Sequence, residues 1–326
     1  MVKSHVKVVL RTRPTAKFAE DNIKILADRQ SIQMNLKNKR GVGVVNHPQE
    51  SFQLKFDQVL HDASQEAVYE ACGRDAVENV LQGFNATVMA YGQTGAGKTY
   101  TMTGGKYSQA SFQQRGVVPR CIAETFNEIK ARSQVSITVR ISYMEIYNEN
   151  FYDLLAPEDK ADIHLQEDAK GAVQVKGVTT YLATSEEDAL GLLFEGETNR
   201  AIAEHQLNKT SSRSHTIFTM HLEIRPQGTE DEKILTSKLN LVDLAGSERL
   251  SKTLSEGALA KEAQHINKSL SLLEQVIIAL TNKSRDHIPY RSSKLTHLLK
   301  DSLGGNCKTL VLACVWGEAD QLDETL

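Results

Sequence analysis

No apolar run in the 326-residue sequence approaches the roughly 20 residues that a membrane-crossing helix needs, so no membrane partner is expected. Its four cysteines, Cys72, Cys121, Cys307 and Cys314, show no C-x-x-C spacing, which leaves thiols in a reducing compartment as the expectation. Glu204-His205 and the other histidines lack H-E-x-x-H or Cys/His ligand spacing, which excludes the common zinc motifs. The opening MVKSHVKVVLRTRP alternates like a short strand and lacks a signal-peptide core. Repeats, low-complexity tracts, linkers and coiled-coil heptads are missing too. This leaves the oligomeric state open, with regions outside this chain as one route to oligomerisation. The net charge of -3 argues against nucleic acid as the partner of the whole chain.

What is present alternates between two periodicities. VKVVLRTR, ATVMAYG, ITVRISYMEIY, TIFTMHLEI, KLNLVDLAG and TLVLACVWG are rich in Val, Ile, Thr and Tyr and predict strands. ASQEAVYEACGRDAVENVLQGF and SEEDALGLLFEGETNRAIA predict helices, the second opening on Ser185 and acids in its first turn. HINKSLSLLEQVIIAL places Ile266, Leu270, Leu273, Ile277 and Leu280 on one apolar helix face. One αβα sandwich around a central mixed sheet is the economical architecture.

GQTGAGKT, residues 92 to 99, fits G-x-x-x-x-G-K-[ST] between a strand and a helix-compatible segment. Its run is Gly92, Gln93, Thr94, Gly95, Ala96, Gly97, Lys98 and Thr99. Glycines let backbone N–H groups close around phosphates. Lys98 is expected to reach the β- and γ-phosphates and the Thr99 hydroxyl to meet Mg²⁺. In KLNLVDLAGSER an apolar strand runs into Asp243, suited to hold Mg²⁺, and then Gly246, whose amide could approach a γ-phosphate unobstructed. GTP enzymes of this type usually carry an N-K-x-D guanine clamp. NKTS, NKSL and NKSR all lack its Asp, which favours ATP and ADP.

NKTSSRSH, residues 208 to 215, would by itself be a polar loop before a strand. Beside a triphosphate site, Ser211 and Ser212 become candidates for Mg²⁺ or its water, and Arg213 for a charged bridge to Glu248 that closes the site. From Arg249 to Leu310 there are ten Lys/Arg against five Asp/Glu, so that segment is about +5 and the remainder about -8. Either this is a solvated face or a docking patch for an acidic partner.

GQTGAGKT, NKTSSRSH and DLAGSE, in this order and spacing, resemble the kinesin motor domain. RTRP, YMEIYNE, INKSLSLLEQVI and IPYRSSKLTHLLKDSLGGN extend the resemblance over essentially the whole chain. FDQVLHDASQ, LLFEGETNR and LEQVIIAL look most like the ciliary and flagellar subfamily numbered nine. The resemblance implies a P-loop NTPase sandwich with a mostly parallel mixed sheet. Residues 1–326 are expected to form one motor domain that stops before the final helix and the neck linker. It implies a microtubule-stimulated ATPase of the cytoskeleton that generates force, in cilia or flagella.

The same resemblance implies site roles. Arg11, Pro14 and Tyr100 would lie near the adenine, and Arg13 would also bind the nucleotide. Asn208, Ser211, Ser212 and Arg213 would form switch I, and Asp243, Gly246 and Glu248 switch II. Thr99, Ser212 and, through water, Asp243 would hold Mg²⁺. Glu248 with a relaying water is the general-base candidate. Microtubule contacts would come from Lys252, Lys261, Lys268, Lys283, Arg285, Arg291 and Lys294, facing acidic α/β-tubulin. His297, where many kinesins have Arg, implies weaker or pH-sensitive microtubule affinity. Two other readings stay open at this stage: a nucleotide-gated microtubule-binding module with little motility, or depolymerase activity, and a P-loop ATPase or kinase acting on a small substrate.

Overall fold

Parallel strands covered on both faces read as nearly unbroken apolar runs, and ATVMAY and TLVLACV take that form. The computed structural model describes residues 6–35, 51–105, 111–158, 162–169, 171–207, 211–226, 234–248, 258–282, 284–285 and 287–325. Its strands are β1 (Lys7–Thr12), β2 (Ile23–Ile25), β3 (Ser31–Asn35), β4 (Ser51–Lys55), β5 (Gln58–Leu60), β6 (Asn85–Tyr91) and β7 (Val135–Tyr147). They continue with β8 (Asn150–Asp153), β9 (His164–Glu167), β10 (Val173–Lys176), β11 (Tyr181–Ala183), β12 (His215–Pro226), β13 (Leu235–Asp243) and β14 (Cys307–Val315). The helices are α1 (Gln65–Cys72), α2 (Arg74–Leu81), α3 (Lys98–Met102), α4 (Val117–Ala131) and α5 (Glu186–Leu207). After them come α6 (Ala258–Thr281), α7 (Lys294–Leu298), α8 (Lys300–Gly304) and α9 (Leu322–Thr325).

The central sheet has the order β11-β7-β12-β13-β6-β14-β1-β5, with β8 paired to β7. Strands β13, β6, β14, β1 and β5 run parallel, and β7, β12, β13 and β11 pair antiparallel. Period-2 alternation sends neighbouring residues to opposite layers. Val88 and Ala90 of β6 face a core shared with α1, α2, α4 and α5, whereas Met89 joins a second core under α6, α7 and α8. This is the αβα sandwich expected from the sequence. All four cysteines are buried thiols within it.

Two helices depart from expectation. The segment beginning ASQEAVYEAC splits at Gly73, whose N–H donates to the Tyr69 carbonyl at 2.7 Å. A β-carbon there would run into the Tyr69 ring, so only glycine lets α1 and α2 meet at this angle. Along α6, Leu270 and Leu273 are buried as the stripe predicts, but Val276 is buried and Ile277 is 42% exposed. A single helical step of three at this point turns the stripe toward α7.

Residues 148–150, Asn-Glu-Asn, make the next connection. Asn148 and Glu149 both adopt positive φ, 50° and 57°, forming the tight turn between β7 and β8. The Glu149 carboxylate then accepts the backbone N–H of Lys294 at 2.8 Å, at the start of α7.

Candidate functional site

The site forms where β6 and β13 end side by side, with Asp243 in register with Ala90. Ligands of open α/β sheets sit at such carboxyl ends. Beyond β6 the chain turns on Gly92, Gly95 and Gly97, with φ of 145°, 83° and 93°, values that L-residues with side chains rarely adopt. The packing is as tight as the torsion. A β-carbon on Gly92 would strike the Cys314 carbonyl, and one on Gly95 the Trp316 ring. Lys98 opens α3, is 7% exposed and donates to the carbonyls of Gly92 (2.8 Å) and Gln93 (3.0 Å). Burial lowers its pKa, with Asp243, Cys314 and Glu248 acting in the opposite direction.

The Thr99 hydroxyl donates to Asp243 Oδ2 at 2.6 Å. Asp243 is buried, and burial raises its pKa against the opposing effects of Arg200, Thr99 and Lys98. Its second oxygen, Oδ1, is buried with no hydrogen-bond partner. A buried carboxylate oxygen without a partner is costly in isolation. This hard oxygen beside a threonine hydroxyl suits Mg²⁺.

Switch-type segments meet above this floor. Ser211–Arg213 form one 3-10 turn, and the Ser212 carbonyl accepts the Gly246 N–H at 2.8 Å. Ser247 N–H donates to the Gly92 carbonyl at 3.1 Å. Glu248 accepts from Thr94 twice, from its N–H at 2.8 Å and its hydroxyl at 2.6 Å. The described ion pairs do not include the Arg213–Glu248 bridge. Its acid is bonded instead to the phosphate loop, 154 positions away in sequence. A β-carbon on Gly246 would meet the Thr94 hydroxyl and both Glu248 oxygens, so a side chain there would have to displace them. Asn208 lies outside the described residues, as does the Ser211 side chain.

Arg13, Pro14, Thr94, Gly95, Gly97, Lys98, Thr99, Tyr100 and Ser212 line one cleft of ≈ 560 Å³. Arg13 and Pro14 also line a neighbouring cleft of ≈ 520 Å³ with Phe18 and His61. Arg13 donates to the Gly95 carbonyl at 2.7 Å and lies over the Trp316 ring. Two expected nucleotide residues face elsewhere. Arg11 is 3% exposed and donates to Gln65 (2.8 Å) and Thr101 (2.6 Å), so it braces the wall between α1 and α3 and does not line either cleft. The Gln93 side chain turns away to Gln321 and Thr325 near α9, leaving only its backbone toward the loop. Ala96 is buried in the core.

Sequence reasoning missed the support behind the Ser211–Arg213 turn. Arg200 of α5 is almost fully buried against Glu145 (3.8 Å) and Glu204 (3.4 Å) and donates to the Ser214 hydroxyl at 3.3 Å. Burial disfavours its charge, but Tyr143, Glu197, Asp243 and Glu145 together outweigh burial and raise its pKa. Glu197 in turn accepts from the Tyr143 hydroxyl. The only signal in the sequence was a charged residue on a helix with no visible partner. His215 was visible only as the end of a polar run, yet it is 3% exposed and touches Ala245 and Ser269.

Burial lowers the pKa of His215 to about 3, with Lys98 and Arg200 adding to the effect, and that of His221 to about 4, with Lys238 adding to it. The unfolded chain therefore takes up protons below the ordinary value of 6.5 that the folded chain refuses. Stability is complete above 6.5 and falls as pH drops toward those lowered values. Acidification from about pH 7 to about pH 5 should cost about 2 kcal/mol per histidine. Urea unfolding of wild type and His221→Gln at both pH values checks this, because the variant should lose about half of the dependence.

On the opposite layer, Lys268 of α6, Arg285 and Arg291 are exposed, and Lys294 is half-buried over the Phe151 ring. Arg291 (3.0 Å), His297 (2.9 Å) and Lys300 (2.9 Å) converge on Glu167 of β9, whose pKa their hydrogen bonds lower to about 2. His297 is thus held by an internal acid. Lys252, Lys283 and the side chain of Lys261 lie outside the described residues.

A glycine-built loop leading into a buried lysine, beside a strand ending in a buried aspartate, defines a P-loop nucleoside-triphosphate site. The family model described as Kinesin motor domain matches residues 11–326, and the chain belongs to that family. It is 53% identical over 329 residues to Kinesin-like protein KIF9 of Mus musculus, covering 99% of this chain and 41% of that protein. Against Kinesin-like protein KLP1 of Chlamydomonas reinhardtii the identity is 46% over 328 residues, covering 100% and 42%. A solved structure of a fast kinesin matches with a TM-score of 0.85 and 36% identity, covering 98% of this chain and 88% of that one. The chain thus spans about two fifths of the length of these curated relatives.

Proposed function

We propose that residues 1–326 form one motor head that hydrolyses ATP, is stimulated by microtubules and converts the nucleotide state into force. The observation that carries the site is the Thr99–Asp243 hydrogen bond with the partnerless Asp243 Oδ1 beside it. Thr99 and Ser212, which line one cleft, would hold Mg²⁺ together with Asp243 acting through water, and the ion would supply charge neutralisation for the β- and γ-phosphates. Lys98 gives up its loop carbonyls to bind phosphate oxygens. Ser212 and Gly246, already bonded to each other, present switch I and switch II to the terminal phosphate together. Glu248 leaves Thr94 to meet Arg213 as the site closes, and there accepts a proton through a relaying water. Arg13, Pro14 and the rings of Phe18 and His61 support a purine base next to the phosphates.

Lys268, Arg285 and Arg291 offer positive charge to acidic tubulin from α6 and the segments that follow it. Similarity to KIF9 and KLP1, together with FDQVLHDASQ, LLFEGETNR and LEQVIIAL, supports work in cilia or flagella. The deciding experiment is steady-state ATP turnover against microtubule concentration at two salt levels. Turnover should rise with microtubules, and the half-saturating concentration should rise with salt as surface charges are screened. Turnover indifferent to microtubules at low salt would overturn this reading.

A further inference from the structure

Three separate parts of the chain meet at the His215 ring. Nδ1 accepts the backbone N–H of Ala245 at 3.0 Å, one residue before Gly246. Nε2 lies 2.8 Å from the Ser269 hydroxyl of α6. An amide N–H only donates, so Nδ1 must carry a lone pair. The proton of the neutral ring is then on Nε2 and is donated to Ser269. His215 is 3% and Ser269 4% exposed, so water cannot replace either bond cheaply.

The positions of these partners give the ring its significance. Ala245 follows the β13 aspartate by two positions, and the next amide, Gly246, is bonded to switch I through Ser212. Ser269 lies well inside α6, next to the exposed Lys268. The backbone of α6 at this depth is satisfied by its own helix, so the helix does not need the imidazole in order to form. The ring is rigid and its two nitrogens point in fixed directions. A shift of the Ala245 segment relative to α6 must break one bond or carry the helix with it.

We propose that His215 is a positioning residue that couples the segment around Gly246 to α6 through its hydrogen bond to Ser269, making microtubule affinity follow the nucleotide. This rests on the motor reading above. Losing the Ser269 end should uncouple two intact halves. Losing the Ala245 end would also disturb the nucleotide site, so the informative variants act at Ser269.

The test compares wild type, Ser269→Ala, His215→Asn and the double variant in the intact protein. Asn keeps an acceptor near the Nδ1 position but falls short of Ser269. The measurements are thermal melting, turnover without microtubules, and microtubule cosedimentation with an ATP analogue and with ADP. Ser269→Ala should lower the melting temperature by only a few degrees, the effect of one buried N–H left without its partner, and should retain basal turnover. Its ratio of microtubule Kd between the two nucleotide states should shrink by about fivefold or more. The double variant should lose no more of that ratio than either single change, because one bond is broken in every case. A Ser269→Ala ratio equal to wild type, or single losses that multiply in the double variant, would overturn the coupling alone. A wild type with no microtubule-dependent turnover would overturn the motor reading and the coupling with it.

Discussion

Glu248→Ala should reduce ATP turnover by about a hundredfold to ten-thousandfold, the range of a lost general base, while nucleotide affinity stays near wild type. The geometry separates the two effects. The phosphate loop is shaped by its glycines and by Lys98, none of which needs Glu248 to fold. Glu248 is bonded to Thr94 through both an N–H and a hydroxyl, contacts it can exchange for water or Arg213. Glu248→Gln should be nearly as damaged, because an amide has the shape but cannot take a proton. Gly246→Ala should give a similar loss by another route, since its β-carbon would push into Thr94 and Glu248. Single-turnover phosphate release beside fluorescent-nucleotide titration checks this. Parallel losses of affinity and turnover would make Glu248 a structural clamp on Thr94.

Arg200→Ala should destabilise the fold by about 3–5 kcal/mol, because it strands buried acids beside an emptied space. Glu145 is 2% exposed, and Glu204, also near the guanidinium, already has its pKa raised, by burial first and against the pull of Arg200. A domain holds only about 5–15 kcal/mol in total, so the loss would be visible in any unfolding experiment. Adding Glu145→Gln to Arg200→Met should recover part of it, since the buried charge goes with its partner. Urea denaturation of the three variants decides the matter. A change within about 0.5 kcal/mol for Arg200→Ala, the size of an ordinary surface substitution, would sink the argument.

Much of this molecule was legible residue by residue. The six core strands stand where Val, Ile and Thr runs placed them, and Ser185 begins α5 with its hydroxyl accepting the Asp188 N–H. The phosphate loop was readable because its conformation is local: glycines supply the positive φ that Gly95 and Gly97 adopt. The α6 stripe was readable to Leu273 and wrong at Ile277, because periodicity gives a face but not the neighbour it turns toward. Arg11 was misplaced for a similar reason. The resemblance set it near the adenine, but Gln65 and Thr101 close around it from α1 and α3.

What the sequence alone determined, then, is whatever backbone preference and short-range spacing control: the strands, the phosphate loop, the aspartate at the end of β13, and membership of a recognisable pattern. The tertiary structure alone decided which polar groups satisfy each other. Thr94 with Glu248, Arg200 with Glu145, and Ala245 through His215 to Ser269 join positions far apart along the chain. A buried donor or acceptor must find a partner wherever packing leaves one, and no spacing rule encodes that choice. For the same reason NKTSSRSH looked like a plain polar loop, although its last residue is a buried imidazole between the nucleotide site and α6.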